Sequence, residues 1–295
     1  MKNFFTSGAL FSRNLSLNLN GNILDLSTPR VMGIINATPD SFYEGSRLPD
    51  PGQAVQVARE MLRQGADILD VGAVSSRPGA EEISEEDELN RLSPVLEALR
   101  NQIPECVISV DTWRSGVASV VHERFGIDMI NDISAGQLDP SMFSTVAKKG
   151  LSYVMMHMQG TPPSMQEAPQ YDNVVDHLLQ FFGERVHKLH KLGVNDIVID
   201  PGFGFGKRLD QNYKILLNLD AFQMLELPLM VGISRKSMIY KTLESEPELS
   251  LNGTTAAHMA ALLKGANLLR VHDVEAAVET VKIFQQIVNS RTQSV

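Results

Sequence analysis

The chain has 295 residues, 43% of them hydrophobic, with one cysteine and a formal net charge of −9. It is long enough to bury a large core, has no basic footprint for nucleic acid, no apolar run of membrane-spanning length and, with Cys106 alone, no intrachain disulfide. A reducing compartment fits, with a cytoplasmic location expected, and a small anionic ligand would have to be met by local cations.

The first 22 residues carry Lys2 and Arg13 and no acid, but a single arginine and no long basic amphipathic face argue against a targeting segment, so 1–14 reads as a frayed N-terminus. Leu15, Leu17 and Leu19 then alternate up to Asn20-Gly21, with Ile23, Leu24 and Leu26 beyond, which predicts a β-hairpin over 15–27. From there short apolar runs recur at 31–35, 68–71, 107–110, 129–130, 153–156, 197–199, 229–233 and 268–271. Between them, segments such as 51–64, 85–100, 140–149, 173–192 and 256–264 space apolar residues three and four apart and often end near glycine, as at Gly65, Gly150, Gly193 and Gly265. Eight strands alternating with helices after a hairpin predict an α/β fold of the (β/α)₈ TIM-barrel type, a single domain over 15–290. An open doubly wound sheet is the competing arrangement, because strand order is not written in the sequence.

Polar residues gather where each run ends: Asn36, Asp70, Asp111, Asn131, His157, Asp200, Ser234 to Lys236, and Arg270 with His272. In a barrel those positions converge on the C-terminal face, where active sites of this fold lie. The densest stretch is Asp200-Pro201-Gly202-Phe203-Gly204-Phe205-Gly206-Lys207. Its aspartate continues the strand ahead of proline, its glycines admit close approach or positive φ, and Phe203 and Phe205 offer flat apolar faces, a floor for a planar ring with polar edges. The alternative is a tight turn with a capping aspartate. It is not a Walker phosphate loop, since Pro201 and Arg208 stand where that motif needs Gly and Ser or Thr.

Other chemistry-bearing residues have plainer readings. Cys106 lies in an apolar run and reads as a packed thiol; the acids from Glu81 to Glu88, with Ser84 as cap, read as a solvent-facing helix start. His157 reads as a packing or supporting histidine, with a ligand role as the alternative, and His187 and His190 as solvated.

Several strings together resemble the dihydropteroate synthases of the pterin-binding family: 33–42 (GIINATPDSF), 75–79 (SSRPG), 109–112 (SVDT), 131–133 (NDI), 156–160 (MHMQG), 200–207, 234–237 (SRKS) and 270–273 (RVHD). The resemblance runs from about residue 30 to about 275. It implies a Mg²⁺-dependent barrel that transfers a pterin-methyl group from its diphosphate ester to 4-aminobenzoate with release of pyrophosphate, is a sulfonamide target, and forms a homodimer. Carried onto this chain, it implies a pterin pocket of Asp111, Asn131, Asp200, Phe205, Lys236 and Arg270, with Asp111, Lys236 and Asn36 taking part in catalysis. Asp200 is suited to accept two ring donors, Asn131 to donate and accept, and Lys236 to donate to ring acceptors; a Schiff-base lysine is the rival reading of Lys236. Asn36, Ser76, Arg77, Arg270 and His272 would meet pyrophosphate, the last two because residues two apart on an extended segment point the same way. Asn36 would be the protein ligand to Mg²⁺. Phe42, Ser76, Pro78, Lys236 and Ser237 would form the aminobenzoate pocket under loops that close over the substrates. Departures from the family pattern, Ala37, Glu44, Val74 and Ser76, fall mostly in those loops. Two other functions stay open: a methyltetrahydrofolate-dependent methyltransferase barrel, and a pterin-binding partner subunit without catalysis.

Overall fold

The computed structural model describes residues 15–37, 50–74, 83–160 and 170–292. Asn20 and Gly21 hold φ of 51° and 92°, the left-handed pair that a two-residue hairpin turn requires. They join β1 (Ser16–Leu19) to the antiparallel β2 (Asn22–Asp25). Then follow β3 (Arg30–Asn36), α1 (Pro51–Gln64), β4 (Ile68–Gly72), α2 (Glu85–Gln102), β5 (Ile108–Asp111), α3 (Ser115–Phe125), β6 (Met129–Asp132), α4 (Met142–Lys149), β7 (Ser152–Met156) and α5 (Val174–Lys191). The chain continues through β8 (Ile197–Asp200), α6 (Leu209–Leu217), β9 (Met230–Val231), α7 (Ser237–Thr242), α8 (Leu251–Leu263), β10 (Leu268–Val271) and α9 (Val274–Thr292).

The parallel strands are ordered β8-β7-β6-β5-β4-β3-β10-β9, and the parallel bridge Ile199–Leu229 joins the two outer strands. The sheet therefore closes into the barrel, and the open doubly wound alternative falls away. Local signals explain the helix ends. Asp50 caps α1 by accepting from Gly52 N at 2.9 Å ahead of Pro51, Ser84 caps α2 through Asp87 N at 3.0 Å, and Asn173 caps α5. The two largest departures from the expected boundaries are at β9 and α8. β9 is only Met230–Val231, cut short before Gly232. α8 begins at Leu251 rather than 256, and its first turn packs closely on α7 at Gly253, where a Cβ would lie 2.6 Å from Ile239 Cγ2 and 2.7 Å from Leu243 Cδ1.

The strand period of two divides the barrel's interior. At the N-terminal end, Met32, Ile68, Met129, Val154, Val198, Met230 and Leu268 form a buried apolar cluster with Leu17, Leu19 and Leu26 of the hairpin. The hairpin thus plugs that end, tied there by Asn18 N to Asp196 Oδ1 at 2.8 Å, Ser152 Oγ to Asn18 O at 2.8 Å, Asn20 Nδ2 to Asp128 Oδ1 at 2.9 Å and Asn267 Nδ2 to Leu26 O at 3.1 Å. Two residues further along the same strands stand Asp70, Asn131, Met156, Asp200, Gly232 and Arg270. The intervening residues, among them Leu69, Ile130, Ile199 and Leu269, face outward into the larger core under the helices.

Cys106 is buried, as expected of a packed thiol, and His187 and His190 are exposed. The acidic start of α2 is not wholly solvent-facing. Glu85, Glu86 and Asp87 are exposed, but Glu88 is fully buried and ion-paired with Arg114, because it falls on the face of α2 that meets α3. No described helix is long and apolar enough to cross a membrane.

Leu17→Ala is expected to cost about 2–5 kcal/mol in urea unfolding, since it opens a cavity under the plug, while leaving ligand affinity at the far end of the barrel unchanged. A second expectation concerns pH. His258 on α8 is 1% exposed with both ring nitrogens unpartnered, and burial lowers its pKa from 6.5 to about 4. The unfolded chain therefore takes up this proton before the folded one does, so stability falls as pH drops from 6.5 towards 4, by on the order of 3 kcal/mol. His258→Leu should flatten that part of the unfolding-versus-pH curve.

Candidate active site

At the C-terminal mouth, Asp111, Asn131, Ile133, Met156, Asp200, Phe205, Gly232, Lys236 and Arg270 line one cavity. All six residues expected in a pterin pocket are among them. Asn131, Asp200 and Arg270 come from β6, β8 and β10 at the inward positions described above, and Asp111 ends β5 in register with Asn131; Phe205 and Lys236 come from the turns after β8 and β9.

The pocket is held by ion pairs across strands. Arg270 Nε donates to Asp70 Oδ2 at 2.7 Å and Nη2 to Asp111 Oδ2 at 2.8 Å, so one guanidinium bridges β4, β5 and β10. Asp70 Oδ2 also accepts from Asn131 Nδ2 at 2.9 Å. That bond turns the Asn131 amide, leaving its oxygen for a ligand. Asp70 Oδ1 is buried without a partner. Sequence reading placed Asp70 at its strand end but gave it no task; its position two residues after the inward Ile68 was the available signal.

Burial pushes the Asp111 carboxyl up to about 7, against the pull of Arg270 and with help from Asp70. Asp200 is likewise raised by burial, opposed by Lys236, by the Gly202 N–H, which donates to Oδ1 at 2.8 Å, and by Arg270 and Lys207. Burial lowers Lys236 to about 8 against the attraction of Asp200. Lys236 Nζ donates to Phe203 O at 2.7 Å and stands 4.5 Å from the centre of the Phe205 ring.

Only one of the two turn phenylalanines serves the pocket. Phe203 is fully buried in the outer core, while Phe205 packs with Ile133, Met156 and Met158 on the pocket side. The physical cause is the alternation of the turn, in which Gly202, Gly204 and Gly206 take φ of 70°, 82° and 61°. A Cβ on Gly202 would lie 2.0 Å from His157 O, and one on Gly206 2.8 Å from Gln159 O; glycine is required at both.

The remaining site candidates occupy the rim or lie outside the described residues. Asn36 ends β3 and is exposed. His272, just past β10, is exposed, and its Nδ1 meets Ser234 Oγ at 3.1 Å. Arg270 reaches down to the two aspartates instead of standing beside His272. Ser237 opens α7 and is half-buried. Of the 234–236 stretch, Arg235 turns away into an ion pair with Asp273 at 2.7 Å, leaving Lys236 to face the pocket. His157 is buried, with Nδ1 3.0 Å from Lys207 Nζ. Phe42, Ser76, Arg77 and Pro78 lie outside the described residues.

A closed (β/α)₈ barrel with carboxylates, an amide and an aromatic ring facing inward at its mouth defines an enzyme scaffold for a flat heterocycle with polar edges. The pterin binding enzyme family matches residues 32–272, and the chain belongs to that family. Within it, the chain is 41% identical over 280 residues to the dihydropteroate synthase of Haemophilus influenzae, covering 94% of this chain and 100% of that one. The Yersinia pestis dihydropteroate synthase structure with a sulfonamide drug superposes with a TM-score of 0.87 at 41% identity, covering 93% of this chain and 99% of that one. The Xanthomonas albilineans dihydropteroate synthase in complex with 7,8-dihydropteroate gives 0.80 at 35%, covering 96% and 100%.

Proposed function

We propose that this protein is a dihydropteroate synthase, joining 6-hydroxymethyl-7,8-dihydropterin diphosphate to 4-aminobenzoate to give 7,8-dihydropteroate and pyrophosphate. The observation that carries the reading is the pocket itself: a buried carboxylate, an oriented amide, a lysine and an aromatic face converge where a pterin needs two acceptors, a further acceptor, a donor and a stacking surface.

In this reading Asp200 accepts from the ring N3–H and 2-amino group, two charge-assisted bonds of about 1.5–3 kcal/mol each. Asn131 adds the acceptor that Asp70 leaves turned to the pocket, and Lys236 donates to the ring's acceptors while Phe205 stacks. The amine lone pair of 4-aminobenzoate forms the new C–N bond at the pterin methylene as the C–O bond to diphosphate breaks. Pyrophosphate carries away that electron pair, and the amine loses a proton to solvent. Asp111, when ionised, stabilises positive charge gathering at the methylene. Arg270 and His272 would receive the diphosphate, which requires Arg270 to relax part of its hold on the aspartates. Ser237 would meet the aminobenzoate carboxylate.

For Mg²⁺, the donor set is thin in the way this ion tolerates. No group of three or more His, Cys, Asp or Glu able to hold a metal occurs among the described residues, and Asn36 offers one amide oxygen at the rim. Mg²⁺ often takes one or two protein oxygens with substrate phosphates and water, so Asn36 would hold it together with the diphosphate, whose developing charge the ion would neutralise. A homodimer and a cytoplasmic location complete the proposal. For the dimer, Leu209, Tyr213 and Leu217 give α6 an exposed apolar stripe beside α7, to which Tyr213 OH is bonded through Met238 O at 3.0 Å.

The deciding assay is pyrophosphate release with pterin diphosphate, 4-aminobenzoate and Mg²⁺; absence of release would favour the methyltransferase or non-catalytic reading. Asp200→Asn should weaken pterin binding by roughly 3 kcal/mol or more, about 100-fold, with an unchanged thermal transition; calorimetric binding equal to wild type would make Asp200 structural. Arg270→Ala and His272→Ala should weaken the diphosphate ester more than the bare pterin, and equal losses in parallel titrations would remove both from the phosphate.

A further inference from the structure

Lys207 closes the glycine-rich turn and takes no part in the chemistry above, yet it is 3% exposed. Its Nζ lies 2.9 Å from Gly202 O, 2.9 Å from Phe205 O, 3.2 Å from His157 O and 3.0 Å from His157 Nδ1. Four acceptors thus surround one amine, two from the turn after β8 and two from the residue after β7. Burial pushes its pKa well below the ordinary lysine value, against the attraction of Asp200, so the ammonium that ties the two strand ends together depends on all these acceptors being in place.

The surroundings are built to the same end. The backbone of the turn is pressed onto 157–159 so closely that neither Gly202 nor Gly206 has room for a Cβ. From the pocket side Lys236 Nζ takes Phe203 O at 2.7 Å, and Tyr171 OH takes Gly206 O at 2.9 Å. The carbonyls of Gly202, Phe203 and Phe205 are therefore each claimed by a lysine, and the turn is clamped from both sides. What the clamp fixes is functional: the Phe205 ring, and the Gly202 N–H that meets Asp200 Oδ1 at 2.8 Å.

We propose that Lys207 is a positioning residue for pterin recognition, its buried ammonium pinning the turn that carries Phe205 and supporting the Asp200 carboxylate from outside the pocket. This rests on the reading of Asp200 as the acceptor of the pterin's ring donors. The charged groups around the pair are Lys236 after β9, Arg270 on β10, Asp70 on β4 and Asp111 on β5, with His157 and His177 behind Lys207. Burial raises Asp200, and Lys207 is among the cations that oppose it. Removing that cation lets the carboxyl protonate at higher pH, and a protonated carboxyl no longer accepts both donors.

Lys207→Met and Lys207→Gln, assayed beside wild type, test this. Binding of pterin diphosphate should weaken at least about 10-fold in the Met variant, with the loss in KM for pterin diphosphate and not in kcat, and with KM for 4-aminobenzoate little changed. The acid limb of kcat/KM for pterin diphosphate should move to higher pH in both variants, whereas Gln, which keeps two N–H donors without charge, should retain part of the affinity. If the Met variant does not fold, the Gln variant decides. A folded variant with wild-type affinity and acid limb overturns the proposal, as does failure of the Gln variant to fold, which would make Lys207 a residue of the barrel and not of recognition. Wild type failing to bind pterin diphosphate would instead overturn the reading of the pocket.

Discussion

Closure of the parallel sheet is the constraint from which the rest of this molecule follows. Once Ile199 and Leu229 bridge the outer strands, every inward position lies in a space that only side chains can fill, and the period of two assigns that space in layers. Ile68 and Asp70, Met129 and Asn131, Val198 and Asp200, and Leu268 and Arg270 are pairs on the same strand two residues apart. The first member of each packs on the hairpin, and the second reaches the mouth or the charges beneath it. Stability and chemistry are thereby placed at opposite ends of one barrel.

The mouth gathers charges that would each be costly alone. Asp70 and Asp111 share Arg270, while Asp200, which accepts from the Gly202 N–H, lies in the field of Lys236, Arg270 and Lys207. Arg270 holds two aspartates at 2.7 and 2.8 Å, while Asp70 also orients Asn131. Such a network is preorganised because moving any member leaves another unpaired. A ligand with donors for Asp200 and negative charge for Arg270 would restore what it disturbs.

The turn after β8 shows how backbone, not side-chain identity alone, can be the machinery. Three left-handed glycines let the chain lie on the neighbouring loop, and two lysines claim its carbonyls. The aromatic floor follows from this packing, and so does the division of labour between Phe203, sent into the core, and Phe205, kept for the pocket.

Much of this was legible in one dimension. Apolar runs with helical segments between them determined the eight strands and the hairpin; polar residues at the ends of those runs named the pocket, and the strings around Asn131, Asp200, Lys236 and Arg270 named the family. These signals are local, set by period, capping and turn chemistry, and so survive in sequence. Tertiary structure alone decided closure of the sheet, the plug role of the hairpin, the burial of Glu88 against Arg114, the bridge from Arg270 to Asp70 and Asp111, and the cage around Lys207. Each of these depends on which distant residues face one another across a closed barrel, and a residue's own neighbours in the chain carry no record of the partner that folding will bring to it.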